Sequence, residues 1–318
     1  MDFIRNTKNA KEDVDMKGII TEIQRFSLRD GPGIRTTVFF KGCNMACAWC
    51  HNPETLGVRP QRMSYPDRCI GCGACIAVCP TLDRAEMYTG SGANVLTNPR
   101  CTDCGACVRV CHSGAIQMAG AEMTVGQVME EIVQDKAYYL QSGGGVTLSG
   151  GECTVQMGFL LALLAACRDE GIQTAIETNL LLPWAQLGPA LALLDLVMFD
   201  IKLMDPGAHR KWTGAGNETI LSNARRVAEG RFPYIVRTPL VPGVNDSEAE
   251  IAQIAGFLGS LSRAPEYYEL LRFNPLGAGK YGALGLDDPF AGARPQDMEL
   301  AERLKAAAES GGLPVRIE

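Results

Sequence analysis

Apolar segments of strand length and of helix length alternate along most of this chain. Eight short stretches rich in β-branched and aromatic residues predict strands; they are 18–26, 35–40, 145–148, 173–177, 196–202, 234–241, 268–273 and 314–317. Longer stretches with apolar residues at helical spacing predict helices over 124–139, 157–169, 184–194, 217–229, 246–261 and 294–309. This alternation predicts a parallel β/α sheet curled into a full or partial barrel.

Polar side chains stand where five successive predicted strands end. They are Glu152, Glu177 with Thr178, Asp200 with Lys202, Arg237 and Asn274. In parallel β/α barrels the carboxyl ends of the strands share one face, and the chemistry gathers there. A lone charged residue at a strand end is ordinary surface, but a series of this kind indicates a pocket lined by polar groups.

The segment 66–118 breaks this pattern and is dominated by cysteines. The spacing Cys-x2-Cys-x2-Cys-x3-Cys occurs twice, at Cys69, Cys72, Cys75 and Cys79, and again at Cys101, Cys104, Cys107 and Cys111. This is the run of bacterial two-cluster ferredoxins, in which the fourth cysteine of each run ligates the other cluster. The spacing predicts one [4Fe–4S] cluster on Cys69, Cys72, Cys75 and Cys111, and a second on Cys79, Cys101, Cys104 and Cys107. Since protein would ligate every iron, these clusters would carry electrons and bind no substrate.

A separate group of cysteines, Cys43, Cys47 and Cys50, directly follows the second predicted strand. Three thiolates in so short a run hold three corners of a four-iron cluster and leave the fourth iron open to a small molecule. A zinc knuckle completed by His51 is the alternative. Cys153 and Cys167 remain outside these groups and are interpreted as structural thiols.

Composition narrows the class of protein. The 318 residues are 46% hydrophobic and 21% charged, which is typical of a soluble globular chain with room for one large domain and a small insert. The net charge of -6 and the lack of a basic stripe argue against a nucleic-acid partner. Residues 1–17 predict a flexible leader, with no export signal, and no apolar run is long enough to span a membrane. The cysteines cluster in short spacings, so metal ligation in the cytoplasm is favoured over disulfides.

Together these motifs resemble the radical S-adenosylmethionine (SAM) superfamily, and within it the glycyl radical enzyme activating enzymes. The resemblance extends from Gly18 to Ile317 and includes the three-cysteine group and the double ferredoxin run. Its shorter motifs are 30–35 (DGPGIR), 149–152 (SGGE), 200–202 (DIK), 236–243 (VRTPLVPG) and 270–277 (LLRFNPLG). The double run resembles the larger subgroup of these activating enzymes.

The resemblance implies an α/β fold, a partial (β/α)6 TIM-like barrel formed by 18–65 and 119–318, with a ferredoxin-like two-cluster insert at 66–118. It implies three [4Fe–4S] clusters and SAM as cofactors. Reduction of the cluster with the open iron would split bound SAM into methionine and a 5′-deoxyadenosyl radical. That radical would take a hydrogen atom from a backbone glycine of a partner glycyl radical enzyme. Flavodoxin or ferredoxin would donate the electrons, and a monomer is the default expectation.

The resemblance also assigns roles to residues. Contacts to SAM, or ordering of SAM, are implied for Gly150, Gly151, Glu152, Asp200, Lys202 and Arg237. Asp30 would lie near the glycine loop of the partner. The resemblance implies catalytic roles for Cys43, Cys47, Cys50, Asp30 and Lys202. Glu177, Thr178 and the backbone of Met198 would hold a monovalent cation beside SAM.

Two positions depart from the family pattern. Cys153 follows Glu152 where family members often have proline, and Asn274 stands where the family usually has a histidine that touches SAM. A radical SAM enzyme acting on a small molecule is the second hypothesis. The 30–35 loop favours a protein partner, because an acid and an arginine beside a glycine turn are suited to gripping a peptide backbone. A plain electron carrier would not explain the three-cysteine group.

Overall fold

A nine-stranded sheet that does not close on itself organises the chain; the structure, a computed structural model, describes residues 14–82 and 98–318. The strands, in chain order, are β1 Lys17–Ser27, β2 Arg35–Phe40, β3 Gln61–Ser64, β4 Ile116–Ala119, β5 Ala121–Thr124, β6 Gly145–Gly150, β7 Thr174–Thr178, β8 Leu196–Asp200, β9 Tyr234–Pro239, β10 Tyr268–Leu271 and β11 Val315–Ile317. The large sheet has the order β11-β10-β9-β8-β7-β6-β2-β1-β5, and β3 pairs with β4 apart from it. Strands β2 and β6 to β11 run parallel, whereas β1 is antiparallel to both of its neighbours.

Eleven helices lie between the strands of the described chain, and those that follow β6 connect successive parallel strands. They are α1 Ala74–Ala77, α2 Ala106–Arg109, α3 Val125–Ile132, α4 Lys136–Ser142, α5 Met157–Asp169, α6 Trp184–Leu191, α7 Pro206–Thr213, α8 Glu218–Glu229, α9 Glu248–Gly259, α10 Ala278–Leu284 and α11 Met298–Glu309. The prediction of an α/β fold with an open, partial barrel is confirmed. Within the described ranges, no helix has the length and apolar character needed to cross a bilayer.

The central strands carry the core. Val146, Leu148, Ile176 and Val197 are fully buried, and they pack with apolar residues of the connecting helices. A strand covered on both faces needs apolar residues at nearly every position, which is why these strands appear in the sequence as short continuous apolar runs. Some polar residues, such as Thr147, are buried within a strand, but Glu177 and Asp200 stand at or next to the last residue of β7 and β8 and therefore lie at the same edge of the sheet.

The predicted helix over 124–139 is interrupted. It divides into α3, a 3-10 turn at Val133–Asp135 and α4. The Asp135 carboxylate is fully buried and accepts hydrogen bonds from Arg25 at 2.5 and 2.8 Å and from Thr36 at 3.0 Å. Turning this carboxylate toward β1 and β2 requires a local change of helix type, which the apolar periodicity alone does not indicate.

The cysteine-rich segment is framed by the β3–β4 hairpin, which pairs the chain entering it with the chain leaving it. Its two cysteine runs adopt the same local structure. In each, a left-handed glycine, Gly73 or Gly105 with φ of 72°, precedes a one-turn helix, α1 or α2. Residues 83–97 of the predicted insert, and 1–13 of the predicted leader, lie outside the described residues.

Candidate active site and cluster sites

A cavity of about 1030 Å³ opens where the parallel strands end. Cys43, Cys47 and Cys50 line it together with most of the polar residues expected at SAM. Those residues are Asp30, Gly150, Gly151, Glu177, Thr178, Asp200, Lys202, Arg237 and Asn274. The structure thus brings nine residues that are dispersed in the sequence to the lining of one cavity. Of the residues expected to contact SAM, Glu152 alone does not line this cavity.

The cysteine loop is held from both sides by backbone hydrogen bonds. Gly42 donates to the Thr55 carbonyl at 2.7 Å, while Ala46 and Ala48 donate to the carbonyls of Thr213 and Trp212 at 2.8 and 2.9 Å. These bonds fix the loop between the barrel and the end of α7, so its thiols face the cavity with little freedom.

The donor set fits an iron–sulfur cluster. Burial raises the pKa of Cys43 to about 11 and that of Cys50 to about 12, and the thiols raise one another's pKa, which places them around one space. Cluster assembly must therefore displace protons from buried thiols. His51, the fourth ligand of the zinc alternative, is exposed. Across the described residues, no three His, Cys, Asp or Glu side chains converge closely enough for a single metal ion.

The glycine turn after β6 lies directly against the cysteine loop. Gly150 has φ of 118°, and a Cβ there would stand 2.2 Å from the Phe40 carbonyl oxygen. A Cβ on Gly151 would stand 2.4 Å from the Gly42 carbonyl oxygen. Only glycine allows this approach, so the turn contributes exposed backbone to the cavity beside the cysteines.

Glu152 points away from the cavity and is 1% exposed. Its carboxylate accepts hydrogen bonds from the Asn179 amide at 2.7 Å and from the Thr154 hydroxyl at 2.6 Å. The Thr178 hydroxyl also lies 3.0 and 3.1 Å from its two oxygens. The side chain therefore ties the end of β6 to the end of β7, and its backbone is the part that borders the glycine turn.

Two ion-pair groups stand on the cavity wall. Lys202 lies 2.5 Å from Asp200. Burial lowers the pKa of this ammonium, but Asp200 and Cys47 together raise it by more. Arg237 pairs with Glu177 and, at 2.7 Å, with Glu269. Burial raises the pKa of Glu177, and Arg237 opposes this shift. Both cations are thus held charged and in place by carboxylates: Asp200 at the end of β8 for Lys202, and Glu269 on the adjacent β10 and Glu177 on β7 for Arg237.

The 30–35 loop lies at the cavity, but its two charged ends have different surroundings. The Asp30 carboxylate accepts hydrogen bonds of 2.5 Å from Ser27 and Thr37. Arg35 is fully buried and donates to Thr147 at 2.6 Å and to the Val146 carbonyl at 2.7 Å. The structure therefore places Arg35 where it grips its own chain, and not where it would meet a substrate backbone.

Asn274 is exposed at the rim of the cavity, where its side-chain oxygen caps the 3-10 turn Pro275–Gly277 by accepting from Leu276 at 3.0 Å. On the same side, the Trp49 ring meets the Phe290 ring edge-on at a centroid distance of 6.4 Å. Cys153 and Cys167 are fully buried, in agreement with their interpretation as structural thiols.

In the cysteine-rich segment, one small cavity is lined by the set Cys79, Cys101, Cys104 and Cys107. This is the crossed-over set that the ferredoxin spacing predicts for the second cluster. Burial raises the pKa of Cys75, and the nearby thiols of Cys111 and Cys69 raise it further, so these three members of the other predicted set lie near one another. The set around the small cavity thus fits a fully ligated cluster, and three of the four cysteines of the other set lie close together.

Sequence reasoning missed three residues that support the site. Asn179, 8% exposed, donates to the Asn44 side chain at 2.8 Å and lies 4.0 Å from the Cys43 sulfur. Glu269 holds Arg237, and Lys280 donates to Glu54 at 2.6 Å just after the cysteine loop. Asn179 follows Thr178 at a strand end, so the strand-end pattern would have included it had it been extended by one residue. Glu269 and Lys280 carry no comparable signal.

The fold and these sites define a class, an α/β protein whose cysteine groups fit iron–sulfur clusters, with one of these groups at the open end of a partial barrel. Comparison with protein families agrees. The radical SAM superfamily matches residues 100–255, a 4Fe-4S dicluster domain matches 63–112, and a 4Fe-4S single cluster domain matches 29–75.

Individual proteins narrow the class. The (2S)-3-sulfopropanediol dehydratase activating enzyme of Klebsiella oxytoca is 42% identical over 85% of this chain and 86% of its own length. The benzylsuccinate synthase activating enzyme of Thauera aromatica is 40% identical over 94% and 92%. A solved radical SAM methyltransferase from Sphaerobacter thermophilus shares the fold, with a TM-score of 0.54 at 14% identity over 94% of this chain and 76% of that one. The chain belongs to the glycyl radical enzyme activating enzymes of the radical SAM superfamily.

Proposed function

We propose that this chain generates a radical from SAM in the cavity at the strand ends and places it on a backbone glycine of a partner glycyl radical enzyme. The observation that carries the proposal is the convergence of Cys43, Cys47 and Cys50 with the Gly150–Gly151 turn on one cavity of about 1030 Å³. A [4Fe–4S] cluster bound by these three cysteines supplies an open iron for SAM and the electron that cleaves its sulfonium bond.

The residues of the wall have separate tasks. The backbone of Gly150 and Gly151 is suited to the amino end of SAM, because no side chain blocks the approach. Lys202 and Arg237, each fixed by carboxylates, would order the carboxylate and sugar of SAM. Glu152 and its hydrogen bonds would act as a positioning group that keeps the glycine turn in register with the end of β7.

The cysteine-rich segment is proposed to be a ferredoxin-like insert, 66–118, within a barrel formed by 18–65 and 119–318. The dicluster match over 63–112 and the cavity lined by Cys79, Cys101, Cys104 and Cys107 support two clusters there, and three in the whole chain. These clusters would receive electrons from flavodoxin or ferredoxin and pass them to the cluster at SAM. The chain would act as a monomer.

A monovalent cation beside SAM is proposed at Glu177, Thr178 and the backbone of Met198. Glu177 is paired with Arg237 and accepts a 2.5 Å hydrogen bond from Ser149, so a cation there would share the carboxylate with both. We expect potassium to tighten SAM binding in the reduced protein, as measured by SAM titration in potassium and in lithium buffers. Equal affinity for SAM in the two buffers would contradict a monovalent cation site at these residues.

The partner is tested with a panel of five enzymes named by the relatives: (2S)-3-sulfopropanediol dehydratase, benzylsuccinate synthase, choline trimethylamine-lyase, isethionate sulfite-lyase and trans-4-hydroxy-L-proline dehydratase. The chain is reconstituted with iron and sulfide, reduced without oxygen and mixed with SAM and each panel enzyme. We measure 5′-deoxyadenosine and record electron paramagnetic resonance spectra for a glycine-centred radical. Cys47→Ala should lose one cluster's iron and all SAM cleavage, whereas Cys167→Ala, which changes a buried thiol outside the sites, should keep both.

Deoxyadenosine together with a glycyl radical on one panel enzyme supports the proposal and identifies the partner. Deoxyadenosine without a radical on any panel enzyme favours the small-molecule hypothesis. A chain fully loaded with iron that cleaves no SAM contradicts the proposal.

A further inference from the structure

Three exposed apolar side chains either line the cavity or pack on a residue that lines it. They are Phe26 at the end of β1, Leu28 in the loop that follows, and Tyr138 on α4, with exposed fractions of 47%, 72% and 45%. The rings of Phe26 and Tyr138 meet edge-on at a centroid distance of 4.9 Å. We refer to these three residues as the Phe26 patch. Clustered aromatic exposure of this kind is typical of interaction surfaces, whereas scattered exposed apolar residues are ordinary.

The backbone is strained where it presents this patch. Phe26 has φ of 57°, one of three non-glycine residues at positive φ in the described chain, and the pairing of β1 with β2 shifts register between Gln24 and Ser27. A bulky residue in the left-handed region is unusual, and such conformations cluster at functional sites. The residue in this conformation carries a ring that packs on Tyr138 and is still 47% exposed.

The patch rests on a fixed support. The Arg25 guanidinium lies 5.8 Å from the centre of the Phe26 ring. It donates to the buried Asp135 carboxylate and, at 2.7 Å, to Gln134 on the turn before α4. The strand end and α4 are thereby joined, and the patch is preorganised, which lowers the entropic cost of binding.

The patch continues into the cavity. Phe26 and Leu28 also line the cavity, as do the residues that follow them, Arg29 and Asp30. Strand β5 pairs with β1 only from Lys17 to Ile20, so within the described chain no strand covers the outer edge of β1 beyond that point. An extended peptide can add to an uncovered strand edge by backbone hydrogen bonds, with its side chains in nearby pockets.

We propose that the Phe26 patch docks the glycine-bearing segment of the partner enzyme, held extended along β1 with an apolar side chain against Phe26, Leu28 and Tyr138. This rests on the proposed function, since the reacting atom is then a backbone α-carbon. A backbone atom reaches the cavity only if its chain leaves the partner's fold and lies extended, and an anchor outside the mouth fixes its register. A small-molecule substrate needs no such anchor.

The test measures binding of the partner to variants of the patch. Phe26→Asn keeps a residue that tolerates positive φ but removes the ring, and Leu28→Gln removes the second anchor without touching the strained position. The probe is the panel enzyme with the highest affinity for the unaltered, cluster-loaded chain, with its dissociation constant measured without oxygen. We expect each variant to raise that constant by about tenfold, while the iron content and the circular dichroism spectrum stay those of the unaltered chain.

Leu140→Gln is the matched control, because Leu140 lies on the same helix as Tyr138, is 74% exposed and does not line the cavity. It should leave the dissociation constant within twofold. Unchanged binding by Phe26→Asn and Leu28→Gln would overturn the proposal. So would a wild-type homodimer that Phe26→Asn dissociates, which would assign the patch to a second copy of the chain. Failure of every panel enzyme to bind would also contradict the proposed docking role of the patch. SAM cleavage in the same samples would still support the proposed radical chemistry.

Discussion

Asn179 connects the end of β7 to the loop that carries Cys43, Cys47 and Cys50. Its side chain reaches from the end of β7 to the cysteine loop, where the amide nitrogen lies 4.0 Å from the Cys43 sulfur and 2.8 Å from Asn44. Its oxygen accepts from the Leu181 amide at 3.0 Å. Hydrogen bonds to cluster sulfurs raise a reduction potential, because they stabilise the added negative charge.

We therefore expect Asn179→Ala to lower the reduction potential of the cluster on Cys43, Cys47 and Cys50. A lost bond worth about 1 kcal/mol corresponds to a shift of roughly 40 mV for one electron. Potentiometric titration followed by electron paramagnetic resonance measures it. Asn223→Ala is the control, because Asn223 holds the same loop through the carbonyls of Leu180 and Leu182 at 2.8 Å and does not reach the cysteines. Equal potentials for both variants and the wild type would show that Asn179 acts only on loop structure.

Arg237 balances two carboxylates on the cavity wall. Its guanidinium contacts Glu177 and Glu269, whose side chains are 25% and 4% exposed. Replacing it by methionine leaves two carboxylates together with little water to screen them. We expect Arg237→Met to lower the free energy of unfolding by about 3–5 kcal/mol at neutral pH. Denaturant titration of the reconstituted chain measures this, and adding Glu269→Gln should restore part of the loss.

The same variant should change the dependence of stability on pH. Without Arg237, burial raises the folded-state pKa of Glu177 above its value in the unfolded chain. A group with a raised folded pKa contributes its stability below the unfolded pKa and loses it as pH rises through the folded pKa. Arg237→Met should therefore lose more stability relative to wild type at pH 8 than at pH 5.5. An equal loss at both pH values would place the effect in packing instead of charge.

At the scale of elements, the contact between the glycine turn and the cysteine loop determines whether the site assembles. The Glu152 amide donates to the Gly42 carbonyl at 2.8 Å, and the Gly151 amide donates to the Phe40 carbonyl at 3.0 Å. The turn and the loop thus form one unit built on the ends of β2 and β6. A displacement of either would move the backbone that faces SAM relative to the thiols.

We expect Gly151→Ala to separate these two elements, because its Cβ would stand 2.4 Å from the Gly42 carbonyl oxygen. The chain should fold but retain about one cluster's iron less than the wild type after reconstitution. Iron and sulfide analysis with circular dichroism measures both properties. Gly256→Ala is the matched control, since a Cβ at that position in α9 meets nothing within 4 Å. Full iron content in Gly151→Ala would mean that the loop holds its cluster independently of the turn.

Most elements were predictable from the sequence because buried parallel strands and amphipathic helices leave strong apolar patterns. Helix α7 was missed, since its segment is polar overall and only His209 and Thr213 are buried. Residue type also predicted which side chains are charged at the strand ends, but not the direction in which they point. Glu152 and Arg35 match functional motifs, yet both side chains bind groups of their own chain. The direction of each side chain is set by a hydrogen-bond partner that is distant in sequence, Asn179 for Glu152 and Thr147 for Arg35.

At the scale of the whole molecule, the proposed route of electrons would connect the insert to the barrel. The β3–β4 hairpin lies between them: Arg62 and Met118 line the small cavity with Cys79 and Cys101, and Gln61 accepts from Lys41 at 3.1 Å just before the cysteine loop. The second predicted cluster therefore lies against the hairpin that leads to the SAM site. This continuity favours electron relay over a purely docking role for the insert.

Variants of the insert cysteines can distinguish electron transfer through the insert from a docking role of the insert. The variants Cys72→Ser and Cys104→Ser each remove a ligand of one insert cluster. In both, reduced flavodoxin should reduce the cluster on Cys43, Cys47 and Cys50 at least about tenfold more slowly than in the wild type. The reason is that electron transfer through protein without an intermediate cluster is slow. Photoreduction by a small deazaflavin dye, which does not need the insert, should restore SAM cleavage in both variants. Stopped-flow absorbance and deoxyadenosine assays measure the two steps, with Cys167→Ala as the cysteine control. If flavodoxin reduces the variants at the wild-type rate while partner binding weakens, the insert serves docking and the relay is excluded.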